Sequence, residues 1–494
     1  MTTVEKKDGP LYRMLRPVRL DRPVPISLAR GSVYSTTGLI AQGLLRFATS
    51  LLVGHLAGKT VLGEVASAIA MSLTLALLWP TTTGSAASMF LARARGAGKS
   101  DELRATATHL RIRTTQTGLL LGVVAIPLWV LVDGGSWQGA LSVAALTIAY
   151  SGYSFTRGVQ FGAGQVLRAT MWDVTSVVLG LGCLVILLLA GVRGTALVVP
   201  LVLTYGLYTL AGWPYGAGDK AGRERRRELD GFVVLGAIGS LASTGFLQLS
   251  QVAAKLAAGD AEAGQYASAI ALATPASLLA ASLTLVLLPS LSEAFGRGDL
   301  EAFRTQTDRA TRALAVTMVA IFCSIMVCSR LIVSVVWGPE FAGAEKLLPV
   351  LVAAVLATNL CVASVNALNT RSRRGMLINT SASLFGMAIG VAVWLVLAPR
   401  LGPYGVAIGY LCGTVSIAVT PIAWVWRRDG HRWSLVFGKV LLGVAVAAGM
   451  VVVQHVAGLP LLLDPVFAIG FLVIWWLINR ADVARLPIPG LRRR

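Results

Sequence analysis

The sequence predicts an all-α polytopic membrane protein of about fourteen transmembrane helices, on three observations. Of its 494 residues 55% are hydrophobic and 13% charged, against about 25% charged in a soluble domain, and the mean hydropathy is +0.72; a soluble enzyme is excluded. Apolar runs of the roughly 20 residues that a bilayer core requires recur from Val33 to Leu477. The basic residues also fall in alternate loops, as membrane topology demands.

Residues 1–32 form a basic tail (Lys6, Lys7, Arg13, Arg16, Arg19, Arg22, Arg30) with no small-residue cleavage site behind a short apolar stretch, so the expectation is a cytoplasmic tail and no signal peptide. A first six-helix lobe, 33–216, holds spans Val33–Leu52, Glu64–Ala87, Thr114–Leu131, Gly139–Phe155, Met171–Leu189 and Thr195–Trp213. A basic cytoplasmic loop, 217–230, separates it from a second lobe, 231–428, with spans Gly231–Ala254, Ala267–Leu288, Ala313–Val336, Leu347–Val365, Met376–Leu397 and Gly405–Trp424. Two further helices in 429–480, Leu435–Val453 and Leu461–Leu477, precede a basic cytoplasmic tail, 481–494.

The excess of 43 Lys and Arg over 23 Asp and Glu tests this division. In a soluble chain a net charge of +20 suggests nucleic acid; here it reads as topology, and no nucleic-acid partner is expected. With the N-terminus inside, 36 basic residues fall in inside segments, including Arg157 and Arg168, and 6 in outside ones. Arg46 alone lies within a span. A missed helix would scramble the alternation, so both termini are expected in the cytoplasm.

The chain also repeats itself. Gly58 and the run from Gly63 through Ala66 to Ala70 recur 201 residues later as Gly259 and the run from Gly264 through Ala267 to Ala271. Both copies sit at the outer loop entering the second span of a lobe. An even number of spans separates them, so the lobes are parallel repeats about an axis along the membrane normal, a plan shared by many secondary transporters. The last two helices lie outside the repeat.

Charges at mid-bilayer cost at least about 2.5–3.5 kcal/mol and mark candidate sites. Arg46 has Gln42 and Ser50 four residues to either side, giving span 1 one polar face. Guanidinium binds diphosphate oxygens bidentately and keeps its charge, so an anion site is the functional reading; outward snorkelling is the structural one. In span 7 Thr244, Gln248, Gln251 and Lys255 also share a face, with Lys255 either a second phosphate contact or an interfacial lysine. Asn359, Asn366 and Asn369 read first as interhelical hydrogen-bonding groups. Thr81, Thr82 and Thr83 accommodate a kink at Pro80.

The acidic residues Glu64, Asp173, Asp230 and Asp464 all fall near span ends, leaving no carboxylate for an ion site. Five cysteines in apolar runs read as small core residues, with no metal site and no cofactor expected. Gly58-Lys-Thr60 and Gly98-Lys-Ser100 lack the earlier glycine of a phosphate loop, Val53 and Arg93 standing there, and no hydrolytic residue set is present, so no enzymatic activity is expected.

Gly264-Gln-Tyr266 with Ala269, Pro275 and Leu288-Pro-Ser-Leu291-Ser292 resembles the polysaccharide-transporter families, as do Val336-Trp-Gly-Pro-Glu340-Phe-Ala342, Asn366-Ala-Leu-Asn369 and Leu401-Gly-Pro-Tyr-Gly405. These belong to the multidrug/oligosaccharidyl-lipid/polysaccharide (MOP) superfamily, with the Wzx-type flippases, the lipid II flippases and the multidrug and toxin extrusion (MATE) exporters. The resemblance covers about Val33 to Trp424. It implies two six-helix lobes that move a polyprenyl-diphosphate-linked oligosaccharide from the inner to the outer leaflet by alternating access, at the cell membrane, for polysaccharide or cell-wall synthesis. A lipid-linked saccharide and the bilayer would then be its partners, with a polymerase or glycosyltransferases acting alongside. Arg46 matches a cavity arginine of the lipid II flippases, whose further arginines in helices 2 and 8 are absent here. Lipid II itself, a MATE-like drug exporter and a non-transporting scaffold for polymer synthesis are the alternatives.

Overall fold

A computed structural model describes residues 28–133, 137–215, 218 and 221–483, so most of the expected tails and residues 217, 219 and 220 lie outside the described residues, and the expected loop 217–230 is helical from Arg223 onward. Seventeen α-helices account for nearly all of it. They are α1 (Leu28–Leu77), α2 (Pro80–Gly96), α3 (Ser100–Asp133), α4 (Trp137–Gly162), α5 (Val166–Leu189), α6 (Val199–Gly212), α7 (Arg223–Ser240), α8 (Phe246–Ala273) and α9 (Ser277–Gly296). The remainder are α10 (Leu300–Val327), α11 (Ser329–Val336), α12 (Ala344–Leu360), α13 (Val362–Arg371), α14 (Arg373–Leu401), α15 (Pro403–Asp429), α16 (Ser434–Val456) and α17 (Asp464–Val483).

Eleven of the described helical stretches are long and apolar enough to cross a membrane. Two hold a pair of spans each, because α1 turns sharply at Gly58 (φ 85°, ψ 172°) and α8 at Gly259 (φ 81°, ψ −174°). Only glycine takes that left-handed region at low cost, and the two kinks are the two copies of the sequence repeat. With α4, the count returns to about fourteen. Span 2 breaks outright between Leu77 and Pro80 rather than bending, and Thr83 Oγ1 donates to Trp79 O (3.0 Å) across the break.

Contacts divide the chain into two compact units, Met1–Leu56 with Glu64–Leu241, and Ala57–Gly63 with Ala242–Arg494. The division falls at a π-helical turn, Leu241–Gly245, between α7 and α8, where the sequence reading divided the lobes at the preceding loop. The reason is packing. Leu229 and Val233 of α7 share a buried core with Phe90, Leu91 and Phe155, and Phe232 meets Phe90 edge-on at 5.4 Å.

In the second unit α14 and α15 form a close hairpin in which a Cβ on Gly413 would stand 2.8 Å from Gly386 O, and one on Gly409 2.8 Å from Gly390 O. Small residues let the two backbones touch, the usual basis of helix association where lipid gives no hydrophobic drive. Phe246 stacks on Trp394 beside them at 5.0 Å. Asn359 donates to Ser277 Oγ (3.0 Å) and Asn366 to Thr284 Oγ1 (3.3 Å), tying α12 and α13 to α9.

The last two helices are anchored to this unit. Arg330 of α11, buried, pairs with the fully buried Asp464 at the start of α17 (2.5 Å), while its Nη1 donates to Gln454 O and Leu459 O, each at 3.1 Å. Trp475 Nε1 donates to Val316 O of α10 (2.9 Å). All five cysteines are free; Cys323 and Cys361 are buried, but Cys412 is exposed and does not belong to a core.

Candidate substrate site

The polar face of span 1 survives in α1, where Gly38, Gln42 and Arg46 stand four residues apart and so line one side of the helix. Arg46 lies about 18 Å along the helix from the Gly58 kink. It is exposed on its unit, and its Nη2 donates to Tyr150 Oη of α4 (3.3 Å). Ser50, one turn further, is half-buried. A guanidinium exposed at mid-span requires water or an anion, since hydrocarbon solvates it poorly.

Gln42 is not free for a ligand. It is buried, and its Nε2 donates to Asp173 Oδ1 (3.3 Å) while its Oε1 accepts from Tyr205 Oη (3.4 Å). Asp173 is the residue the sequence reading set aside. Helix α5 begins at Val166 rather than Met171, which carries Asp173 two turns inside it, fully buried. Its carboxylate also accepts from Tyr153 Oη (2.9 Å) and from Arg157 Nε (3.0 Å). A Cβ on Gly38 would stand 2.6 Å from Asp173 Oδ2, so glycine is what lets α1 close on this pair.

Arg157 and Arg168 correct the charge count. Both were assigned to a cytoplasmic loop, but α4 runs on to Gly162 and α5 starts at Val166, so both are helical. Arg168 is buried and donates through Nη2 to Ala211 O (2.8 Å).

Tyrosines connect these groups. The ring of Tyr205 lies 5.4 Å from Tyr150 and 4.6 Å from Tyr153, and Tyr208 stands edge-on to Tyr153 at 4.8 Å and donates to Gln160 Oε1 (2.8 Å). The first unit thus holds one polar and aromatic cluster drawn from α1, α4, α5 and α6, with two faces of positive charge. The sequence signal for it was present: Tyr150, Tyr153, Arg157 and Gln160 recur at helical spacing on one face of α4.

The remaining predicted residues belong to the second unit. Gln248 and Gln251 of α8 are half-buried. Lys255 is buried and its Nζ pairs with Asp260 (2.6 Å), just past the Gly259 kink, which satisfies its charge locally and weakens the case for a phosphate contact there. Among the described residues no group of three His, Cys, Asp or Glu is placed to hold a metal ion.

The helices and their glycine-kinked parallel repeat define a polytopic membrane protein, and comparison with known proteins gives its kind. One solved structure, titled as the inward-facing conformation of a multidrug resistance MATE family transporter of the MOP superfamily, matches with a TM-score of 0.64 at 16% identity over 80% of this chain and 94% of the other. A MOP superfamily transporter from Pyrococcus furiosus, whose title reports a binding pocket of reverse polarity, matches with a TM-score of 0.60 at 16% identity over 82% and 95%. No functionally curated protein matches the sequence. The family described as lipid II flippase MurJ matches residues 234–481. That is half of the chain, and the protein belongs to this family, within the MOP superfamily of membrane transporters.

Proposed function

We propose that the protein moves a polyprenyl-diphosphate-linked saccharide from the inner to the outer leaflet of the cytoplasmic membrane by alternating access, with both termini in the cytoplasm. The observation that carries this reading is Arg46, an exposed guanidinium at mid-span held by Tyr150. Such a group suits a diphosphate: it offers a bidentate fork and cannot lose its proton. Ser50 and, in the second unit, Gln248 and Gln251 offer neutral donors and acceptors of the kind that sugars use. The polyprenyl chain stays in the bilayer throughout. A polymerase or glycosyltransferase consuming the product on the far side would give the cycle its direction.

The family description favours lipid II as the cargo, and the lack of arginines in spans 2 and 8 favours another lipid-linked oligosaccharide; one experiment separates them. In a strain lacking the protein, the lipid-linked saccharides that accumulate on the cytoplasmic face are identified by leaflet accessibility. The expected result is a single lipid class, cleared by the wild-type gene and not by Arg46→Ala, with both proteins inserted at equal levels. Clearance by Arg46→Ala would overturn the role of Arg46, and no accumulation would return the exporter or scaffold readings.

A further inference from the structure

Arg157 has the same half-held geometry as Arg46, and transport as described above leaves it without a task. Its Nε is fixed on Asp173, yet a quarter of the side chain remains exposed (25%) while Asp173 is sealed (1%). Its Cζ lies 4.8 Å over the ring of Phe161, and the backbone of α1 closes on the ion pair at Gly38, where a Cβ would stand 3.5 Å from Nη2. The guanidinium is therefore oriented by Asp173 while a quarter of the side chain stays accessible. The cluster holds Arg46, Arg157 and Arg168 against the single carboxylate of Asp173, an excess of two positive charges among its described residues. An ion pair in this setting marks a functional site by default, and the unbalanced charge calls for a dianion.

We propose that Arg157 is a second anion station for the diphosphate of the lipid-linked substrate, the diphosphate passing between Arg157 and Arg46 past Tyr150, which is half-buried where Tyr153 and Tyr205 are buried. Arg46, on α1, bonds Tyr150, which precedes Arg157 on α4 by seven residues or about 10 Å, too far for one diphosphate to bridge at once. The two stations are occupied in sequence. Asp173 is a positioning residue: it aims the guanidinium and competes with the phosphate for it. This inference rests on the reading of Arg46 as a phosphate contact.

The test uses the full-length protein in lipid nanodiscs, with farnesyl diphosphate and farnesyl monophosphate as probes and calorimetric titration as readout. Wild type is expected to prefer the diphosphate. Arg157→Gln should weaken diphosphate binding about tenfold, the value of one charge-assisted contact, and Arg157→Lys should recover part of that loss. Asp173→Asn, which removes the competitor, should tighten it. Opposite signs for Arg157→Gln and Asp173→Asn are the signature of a station. A purely structural pair weakens binding and lowers the melting temperature in both variants alike; that result, or unchanged binding in Arg157→Gln, overturns the proposal. If Arg46→Gln binds normally while Arg157→Gln does not, the reading of Arg46 fails and the station at Arg157 stands. If wild type binds neither probe, both fall.

Discussion

Gly63 and Gly264 occupy equivalent places in the two repeats, and each lies against the other repeat's backbone. A Cβ on Gly63 would stand 1.9 Å from Asp260 O, and one on Gly264 would stand 1.9 Å from Lys59 O. Lys59 and Asp260 are themselves 201 residues apart, the period of the repeat, so the contact is reciprocal about a local pseudo-twofold axis. The strap 57–63 that makes it groups with the second unit although the helices on either side of it group with the first.

Side chains at either glycine cannot be accommodated without moving backbone. Gly63→Ala and Gly264→Ala should each cost about 1–3 kcal/mol, the usual range for overpacking, seen as a lower apparent melting temperature in detergent. Melting curves that match wild type for both variants would show that the strap does not rest there.

Gln265 joins two stretches that the sequence singled out separately. Its Nε2 donates to Glu340 O (3.0 Å) and its Oε1 accepts from Ala344 N (3.1 Å), while Glu340 Oε1 accepts from Lys59 N (3.4 Å) at the start of the second half of α1. Gln265→Leu strands a buried amide partner and should destabilise by about 1–3 kcal/mol; Glu340→Gln should do less, because the backbone carbonyl is unchanged. Thermal shift on both variants orders the two effects.

Removing one member of the Arg330–Asp464 pair leaves a buried charge alone. Asp464→Ala should cost about 3–5 kcal/mol, whereas the double change Arg330→Met with Asp464→Leu should regain most of it. A double-mutant comparison of melting temperatures measures this. Equal losses in the single and double variants would mean that Arg330 left alone carries no stranded-charge penalty.

Arg46→Lys keeps the charge and loses the planar fork. Transport should fall on the order of tenfold if bidentate contact with phosphate matters, and the accumulation assay with quantified lipid reads it. Full activity in the lysine variant would reduce the role of Arg46 to a point charge.

The sequence was informative where a one-dimensional signal has a one-dimensional cause. Apolar run length counts the helices, and the recurrence of Gly58 at Gly259, read from sequence as an outer loop in each lobe, falls on the two kinks of the structure. The Asp173 cluster was only half legible: the face of α4 was readable, but Gln42, Asp173 and Tyr205, which complete it, come from three other helices and are up to 163 residues apart. Two misplaced boundaries hid it: ending span 4 at Phe155 put Arg157 in a loop, and starting span 5 at Met171 put Asp173 at an end. Arg46 stands out because it lies alone in an apolar run, whereas periodicity puts Gln42 on the same face without saying that Asp173 and Tyr205 already engage its amide.

The α4–α5 hairpin has a bearing on how the chain enters the bilayer. Its link is only Ala163-Gly164-Gln165, and its two arginines are engaged with Asp173 and with Ala211 O. Arg157 is paired with Asp173 inside the hairpin itself, whereas Arg168 keeps its charge until Ala211, later in the chain, is in place. The hairpin arrives at the translocon with a pre-arranged internal counter-charge, which lowers its insertion cost, and it takes its direction from the strongly basic loops before and after it. A variant lacking Asp173 would therefore be tested by the biogenesis machinery before it was ever tested by a substrate.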